Sequence, residues 1–490
     1  MNFGQVLRRS ALEYPDKPAV LEEHRSITFG KLDHSTDCLA RWLLDQGLQQ
    51  GDRAAIHWSN SIEAVQLFFA MFKAGVIAVP VNLRLKAAEI SYVLEHSGAA
   101  LCFSEPALAG HAQRAAHCKV FTELPTLPAS VAPPEIDPDR ACLILYTSGT
   151  TARPKGVVHT HNTVLRAVPM LAREFFGRES VALATTPLMH AAAILAVMTP
   201  AVYAGASMVV LPAFSPAGVL DAIQRCRVTF TASMPALMQM VVEEQERHPR
   251  DVSSLRAVGV GGDAVPLTLQ TRFRDAFGIP LREGYAMTES FPIAFNLESK
   301  NRQGAMGAAF DDVEVRIEAA DGRELPDGEI GELAVRSPGN CVEYWNNPEA
   351  TADLMRGGWL HTGDLAYRDA DNFLWFKGRL KQIIIRAGSN ISPQEVEEAL
   401  YHHPEVAEVG VVGQPDPLYG EQVVAFVVRR DGSTLTAEQL RDYARERLAD
   451  YKVPERILFV DSLPKGPTGK VDRRALKESL TTSQTATAAG

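Results

Sequence analysis

An α/β fold is predicted for this 490-residue chain: a large N-terminal domain of layered α/β subdomains with a small β region, then a small, mobile α+β C-terminal domain. Three observations carry that expectation. Short apolar runs without polar alternation recur between stretches of helical periodicity, as strands buried on both faces of largely parallel sheets require. The pattern turns to alternation over 313–336. It changes again after the charged, glycine-containing segment 376–381, where a well-capped helix opens a compact unit. A chain of this length also exceeds what one core usually serves.

Taken in order, Ile-Glu-Ala-Val-Gln-Leu-Phe-Phe-Ala-Met-Phe over 62–72 has helical spacing, and Val-Ile-Ala-Val-Pro-Val over 76–81 reads as a buried strand. A proline-rich connector, 132–138, leads to the apolar run Cys-Leu-Ile-Leu over 142–145. Residues 191–215 carry no charge and are numerous enough to cross a bilayer. Pro200, Gly205 and Pro212 punctuate them, so a buried helix followed by a strand over 207–211 is expected, and no membrane span. A helix near 216–225 and a strand over 229–233 continue the alternation. Val-Glu-Val-Arg-Ile over 313–317 and Gly-Glu-Leu-Ala-Val-Arg over 331–336 flank the turn signal Asp321-Gly322, which indicates a small antiparallel region. Ser392, Pro393 and Glu395 fit the N-cap, first and third positions of a helix. Strands over 406–412 and 423–428, a helix over 437–448 and a strand near 457–460 complete an αββαβ-like unit. The expected divisions are an N-terminal domain over 1–378, a hinge at 379–381, a C-terminal domain over 382–480 and a disordered tail over 481–490.

Composition narrows the function classes. With 46% apolar and 22% charged residues the chain is ordinary for a globular protein. A net charge of −10, with no basic run interleaved with aromatics, argues against nucleic acid as a partner. The six cysteines are scattered without a Cys-x-x-Cys pair, which suits a reduced cytoplasmic setting better than a disulfide scaffold or zinc site. The first residues lack the long apolar core of a signal peptide. Monomer and homodimer are both compatible with this reading.

The most informative segment is Thr-Ser-Gly-Thr-Thr-Ala-Arg-Pro-Lys-Gly over 147–156, directly after an apolar run and Tyr146. Glycines let backbone N–H groups approach a polyphosphate, hydroxyls donate to its oxygens, and Arg153 and Lys155 offset its charge. It is not a Walker A loop, which needs Gly-Lys-Ser/Thr at the start of a helix. A P-loop phosphotransferase, which would release ADP, is disfavoured on that ground.

Further segments join it in order: Thr-Pro-Leu-Met-His over 186–190, Gly-Tyr-Ala-Met-Thr-Glu over 284–289, Gly-Glu-Leu-Ala-Val-Arg over 331–336, His-Thr-Gly-Asp-Leu over 361–365, Gly-Arg-Leu-Lys over 378–381, Ile-Ser-Pro-Gln-Glu-Val-Glu over 391–397 and Leu-Pro-Lys-Gly-Pro-Thr-Gly-Lys over 463–470. Together they resemble the adenylate-forming acid ligases (acyl- and aryl-CoA synthetases, peptide-synthetase adenylation domains and luciferases) over nearly the whole chain, and the CoA-synthetase branch in particular. The resemblance implies ATP, Mg²⁺ and CoA as cofactors and co-substrates. Thr147, Ser148, Gly149, Thr150, Thr151 and Lys155 would hold the departing phosphates. Gly262, Asp263, Gly284, Tyr285 and Ala286 would line the nucleotide site, with the Tyr285 ring offered to the purine. Thr288 offers a hydroxyl to a phosphate oxygen and Glu289 a hard carboxylate to Mg²⁺. Asp364 would accept from the ribose hydroxyls, and Arg379 would hold ribose or phosphate. Lys381 matches the family's pivot. Lys470 matches its catalytic lysine, a compact charge on a flexible stem able to follow charge onto a pentacoordinate phosphorus.

His190, Ala191, Ser233, Met234 and Met287 are assigned to the substrate pocket, with Ala192, Ala286 and Phe291 as further uncharged candidates. An apolar monocarboxylic acid, aryl or short-to-medium aliphatic, is therefore expected. Two departures from the family pattern stand out. Ala286 replaces the usual glycine between Tyr and Met and should narrow the pocket near the carboxyl group. Ala387-Gly388-Ser389-Asn390-Ile391 replaces Gly-Gly-Glu-Asn-Ile; Gly388 still permits close approach of a thiol arm. The implied reaction forms acyl-AMP and pyrophosphate, after which a thiol takes the acyl group and AMP leaves. Alternatives are an enzyme that loads the phosphopantetheine arm of a carrier protein, and an adenylate-binding protein without turnover; Lys470 and Glu289 count against the latter.

Overall fold

The computed structural model describes residues 2–113, 117–125, 133–147, 153–263, 265–297, 301–387, 389–466 and 470–487. The chain forms two compact units. The first comprises Met1–Val265, Leu269–Val315 and Val335–His361, and the second Pro266–Thr268, Arg316–Ala334 and Thr362–Gly490.

The first unit holds two sheets. In one, the strands Lys119–Phe121, Leu101–Ser104, Arg53–His57, Ile77–Pro80 and Ala141–Thr147 are parallel neighbours in that order. Lys155–Thr160 and the short Glu343–Tyr344 extend it antiparallel. In the other, Pro18–Leu21, Ser207–Val210, Val181–Ala184, Phe230–Ser233, Ala257–Gly261 and Leu281–Met287 run parallel, followed by antiparallel Ser290–Phe295 and Gly307–Ala309. The parallel strands are apolar on both faces because helices cover them. Pro216–Cys226, Pro235–Arg247 and Leu267–Phe277 supply Leu220, Met238, Val242 and Phe273 to a core shared with Leu183, Val209 and Val258.

The uncharged stretch after residue 190 does not form one regular helix. Ala193–Met198 is a π-helical turn that passes into the α-helix Thr199–Tyr203, before the strand Ser207–Val210. Pro200 sits at the start of the α-helical part, where its missing N–H costs little. Among the described residues no helix is long and apolar enough to cross a membrane.

In the second unit the strands Ser389–Ile391, Ile384–Arg386, Gly420–Arg429 and Val406–Asp416 lie side by side, and Arg456–Phe459 pairs parallel with Gly420–Arg429. Period-two alternation splits its apolar residues between the faces. Val411, Val423, Ala425 and Val427 pack with the helices Pro393–Tyr401 and Ala437–Arg445, while Val412, Val424 and Phe426 pack with Leu463, Leu476 and Leu480. Ser392 caps Pro393–Tyr401 by accepting from Glu395 N–H, as the cap signal requires. This unit also takes in the hairpin strand Phe373–Arg379, which packs on Pro393–Tyr401. The last helix is Arg473–Thr487. Leu476 and Leu480 anchor its first turns in the core, and propagating an anchored helix costs far less than nucleating one.

Candidate active site

Four adjacent parallel strands of the first unit, Val181–Ala184, Phe230–Ser233, Ala257–Gly261 and Leu281–Met287, end at one edge of their sheet. The carboxyl ends of parallel strands are where open α/β sheets place ligands, because the loops leaving them diverge. Those loops bring together residues scattered over a hundred positions. His190 and Ala191 follow the first strand, Ser233 and Met234 end the second, Gly262 and Asp263 end the third, and 284–289 end the fourth. Met234 is also the N-cap of Pro235–Arg247. Gly261 and Gly284 are opposite one another, and a Cβ on Gly261 would lie 2.3 Å from the Gly284 carbonyl oxygen. Gly262 has φ +81°, a left-handed conformation that glycine adopts without penalty.

Thr288 and Glu289 form the tip of a tight hairpin, with Met287 opposite Ser290. Residues of the other sheet grip this tip. Glu289 is 8% exposed, and its Oε1 accepts a hydrogen bond from the Tyr344 hydroxyl at 2.7 Å. Its carbonyl accepts from Cys341 N–H at 2.7 Å. Burial, reinforced by the Glu289 charge, pushes the Tyr344 phenol well above its usual range, so it remains a donor. The Thr288 carbonyl accepts from His159 Nε2 at 2.7 Å. Burial lowers the His159 pKa, which keeps the ring neutral, with its proton on Nε2 and Nδ1 left to face the Thr163 hydroxyl at 3.3 Å. Lys155 Nζ lies 4.7 Å from the centre of the Tyr344 ring. Lysine, phenol and carboxylate thus form one chain from the phosphate-loop stem to the hairpin tip.

Thr147 and Lys155 are opposite each other at the base of that loop. Ser148, Gly149, Thr150 and Thr151 lie outside the described residues. The helix Ala87–Ser97 holds both stems: the Tyr92 hydroxyl donates to the Pro154 carbonyl at 3.1 Å, and His96 Nδ1 meets the Tyr146 hydroxyl at 2.8 Å. The Arg153 guanidinium lies 5.6 Å from the centre of the Tyr92 ring. Burial and the Arg153 charge both lower the His96 pKa.

Toward the substrate pocket, His190, Ala191, Met234, Tyr285, Ala286 and Met287 are half-buried, and Ala192 is exposed. Ser233 is buried, and its Oγ has no hydrogen-bond partner among the described residues.

In the second unit Asp364 and Arg379 are opposite each other on a hairpin, with Arg379 Nε 3.2 Å from Asp364 Oδ1. Asp364 is 7% exposed, and its N–H donates to Thr362 Oγ1 at 3.1 Å. Lys381 lies in the 3₁₀ turn Leu380–Gln382. Gly388 is outside the described residues; Ala387 before it has φ +49°, with its N–H on the Tyr419 carbonyl at 2.7 Å. The Lys470 carbonyl accepts from Gly466 N–H at 2.8 Å, and residues 467–469 lie outside the described residues.

Tyr344, His159, Tyr92 and His96 escaped the sequence reading. No local signal marks them, since a lone buried aromatic is ordinary core and their partners are remote in sequence.

A family model described as AMP-binding enzyme matches residues 7–345, and one described as AMP-binding enzyme C-terminal domain matches residues 395–470. A feruloyl-CoA synthase of an Amycolatopsis species is 36% identical over 474 residues, covering 94% of this chain and 96% of the relative. Among solved structures, an anthranilate CoA ligase in complex with anthranoyl-AMP superposes with TM-score 0.91 at 26% identity, covering 99% of this chain and 98% of that one. ATP-bound MatB from Rhodopseudomonas palustris superposes with TM-score 0.90 at 28% identity, covering 98% of this chain and 99% of that one.

Proposed function

The chain belongs to the AMP-binding enzyme family, in its acyl-CoA synthetase branch, and from that premise we propose how its residues divide the work and which acids it takes. The enzyme is an AMP-forming acid–thiol ligase. A carboxylate oxygen attacks the α-phosphorus of ATP, the bond to the bridging oxygen breaks, and pyrophosphate leaves. The sulfur of CoA then attacks the acyl carbon of the adenylate, and AMP leaves with the electron pair of the broken C–O bond. A free carboxylate is a poor electrophile, and the mixed anhydride supplies the leaving group it lacks.

The acid is an apolar monocarboxylate lying along His190, Ala191, Ser233, Met234, Ala286 and Met287, none of which carries a fixed charge. The name of the Amycolatopsis relative and the anthranoyl-AMP bound in the solved ligase support an aryl acid. Lys155 and the loop hydroxyls hold the phosphates that leave. Tyr285 faces the purine, and Asp364 and Arg379 hold the ribose. Lys470 stabilises charge moving onto the α-phosphate, and Lys381 is the pivot about which the C-terminal domain reorients between half-reactions. Among the described residues no cluster of three or more metal-ligating side chains exists. Mg²⁺ at a nucleotide site needs only one or two protein carboxylates, and Glu289, buried and oriented by Tyr344, fits that demand. When bound, Mg²⁺ neutralises the polyphosphate, and Glu289 would hold it. Free cysteines throughout suit a reduced cytoplasmic setting, for a monomer or homodimer.

The observation that carries the reading is the convergence of 190–191, 233–234, 262–263 and 284–289 on one sheet edge, with the Glu289 carboxylate clamped there. ATP–pyrophosphate exchange with ferulate, anthranilate, benzoate, octanoate, malonate and amino acids tests it. Exchange with aryl or apolar aliphatic acids, and AMP matched by acyl-CoA once CoA is added, is expected. Exchange confined to malonate or amino acids would sink the apolar monocarboxylate, and release of ADP would sink the reaction itself.

A further inference from the structure

Asn60 lies between the strand Arg53–His57 and the helix Ile62–Ala74, remote in sequence from every motif above, yet it is only 5% exposed. Both ends of its amide are committed to one short piece of chain. Its Nδ2 donates to the Thr186 carbonyl at 3.1 Å, and its Oδ1 accepts from Leu188 N–H at 2.6 Å. Pro187 between them has no N–H, so the side chain acts as a one-residue strand partner for the segment. Only an Asn or Gln amide offers a donor and an acceptor in one plane for such a pairing.

The hydrogen bonds continue from there toward the pocket. His190 N–H donates to the Pro187 carbonyl at 3.0 Å, and Ile194 N–H donates to the His190 carbonyl at 3.2 Å, opening the π-helical turn. Asn60 is itself held on both sides. Ser59 N–H and its hydroxyl both donate to Glu105 Oε1, and Ser61 Oγ caps the following helix by accepting from Ala64 N–H at 3.2 Å. A rigid element of one sheet therefore dictates where the 186–190 loop of the other sheet stands.

We propose that Asn60 is a positioning residue for acid recognition: its amide sets the placement of His190 and Ala191 and hence the acids the enzyme accepts. The inference rests on the reading of 190–191 as a wall of the acid pocket. Without the amide, the buried Thr186 carbonyl and Leu188 N–H lose this partner, and the loop must shift to recover one.

The test uses the full-length enzyme in ATP–pyrophosphate exchange, with KM measured separately for ATP and for the panel acid that exchanges fastest. Asn60→Ala should raise the acid KM by about tenfold and change the ranking of acids by size, with the ATP KM within about twofold. Thr28→Ala, which removes the cap of the helix Phe29–Asp45 away from Asn60, should lower the melting temperature and leave the acid KM unchanged. Should the alanine variant not fold, Asn60→Gln, which keeps both amide groups and displaces them by one methylene, is read in the same way. Parallel changes in both KM values, or an unchanged acid KM, would overturn the inference. His190→Ala separates the two claims. If it alters acid selectivity and Asn60→Ala does not, the positioning role fails alone; if neither does, the pocket wall has been misplaced.

Discussion

The Tyr344 hydroxyl and the Glu289 carboxylate are 55 residues apart in sequence and 2.7 Å apart in space. A hydrogen bond to a buried charge contributes about 1.5–3 kcal/mol. Tyr344→Phe keeps the ring beneath Lys155 and removes only that bond. Exchange kcat/KM should fall by about tenfold to a hundredfold, with a higher Mg²⁺ concentration needed for half-maximal rate. A Mg²⁺ titration of the exchange reaction checks this, and an unchanged half-saturating concentration would remove Tyr344 from the site. Lys470 makes a different prediction, because the proposed role confines it to the first half-reaction. Lys470→Ala should slow acyl-AMP formation by about a hundredfold to a thousandfold, the range for removing one electrostatic stabiliser of a transition state. Thioester formation from supplied acyl-AMP should change by no more than about threefold. Rapid-quench assay of each half separates the two, and equal losses in both would refute the assignment. At this scale the sequence marked Glu289 and Lys470 through their surrounding motifs. It was silent on Tyr344, His159 and Asn60, because a partner's identity depends on which strand lands beside which.

Element geometry sets the next tier. The hairpin carrying Tyr285 to Glu289 approaches its neighbour closely enough that Gly261 tolerates no side chain, since a Cβ would sit 2.3 Å from the Gly284 carbonyl oxygen. Gly261→Ala must part the strands Ala257–Gly261 and Leu281–Met287. Overpacking of this kind costs about 1–3 kcal/mol. Denaturant unfolding should register that loss, and pyrophosphate exchange should fall with it because the hairpin tip moves. Full activity with normal stability would show that the strands can separate freely. Element types were readable where local chemistry decides them. The Ser392 cap, the strands over 406–412 and 423–428, and the apolar parallel strands all followed from local pattern. The π-helical turn at Ala193–Met198 did not, since it depends on how the preceding residues are anchored in a core.

Across the whole molecule, two buried histidines tie stability to pH. His57 and His161 are fully buried, and burial lowers both pKa values to about 4 from the usual 6.5. Between those values the unfolded chain binds protons that the folded protein refuses, so unfolding becomes easier as pH falls. Their contribution is complete above about pH 6.5 and is lost progressively toward pH 4, at up to about 1.4 kcal/mol per pH unit for each ring. Urea unfolding at pH 7, 6, 5 and 4.5 should show a plateau and then a decline, shallower in His57→Gln and His161→Gln; identical slopes in the variants would assign the decline to other groups. The same two sheets explain what could be known in advance. Sequence alone determined the α/β class, most strand and helix types and the family, because periodicity, caps and motifs are local or linear properties. Tertiary structure alone decided that Lys155–Thr160 and Glu343–Tyr344 deliver His159 and Tyr344 to the Thr288–Glu289 tip. It also decided that Asn60 governs the loop before His190. These are contacts between sheets, set by packing of remote segments, and no linear pattern records them.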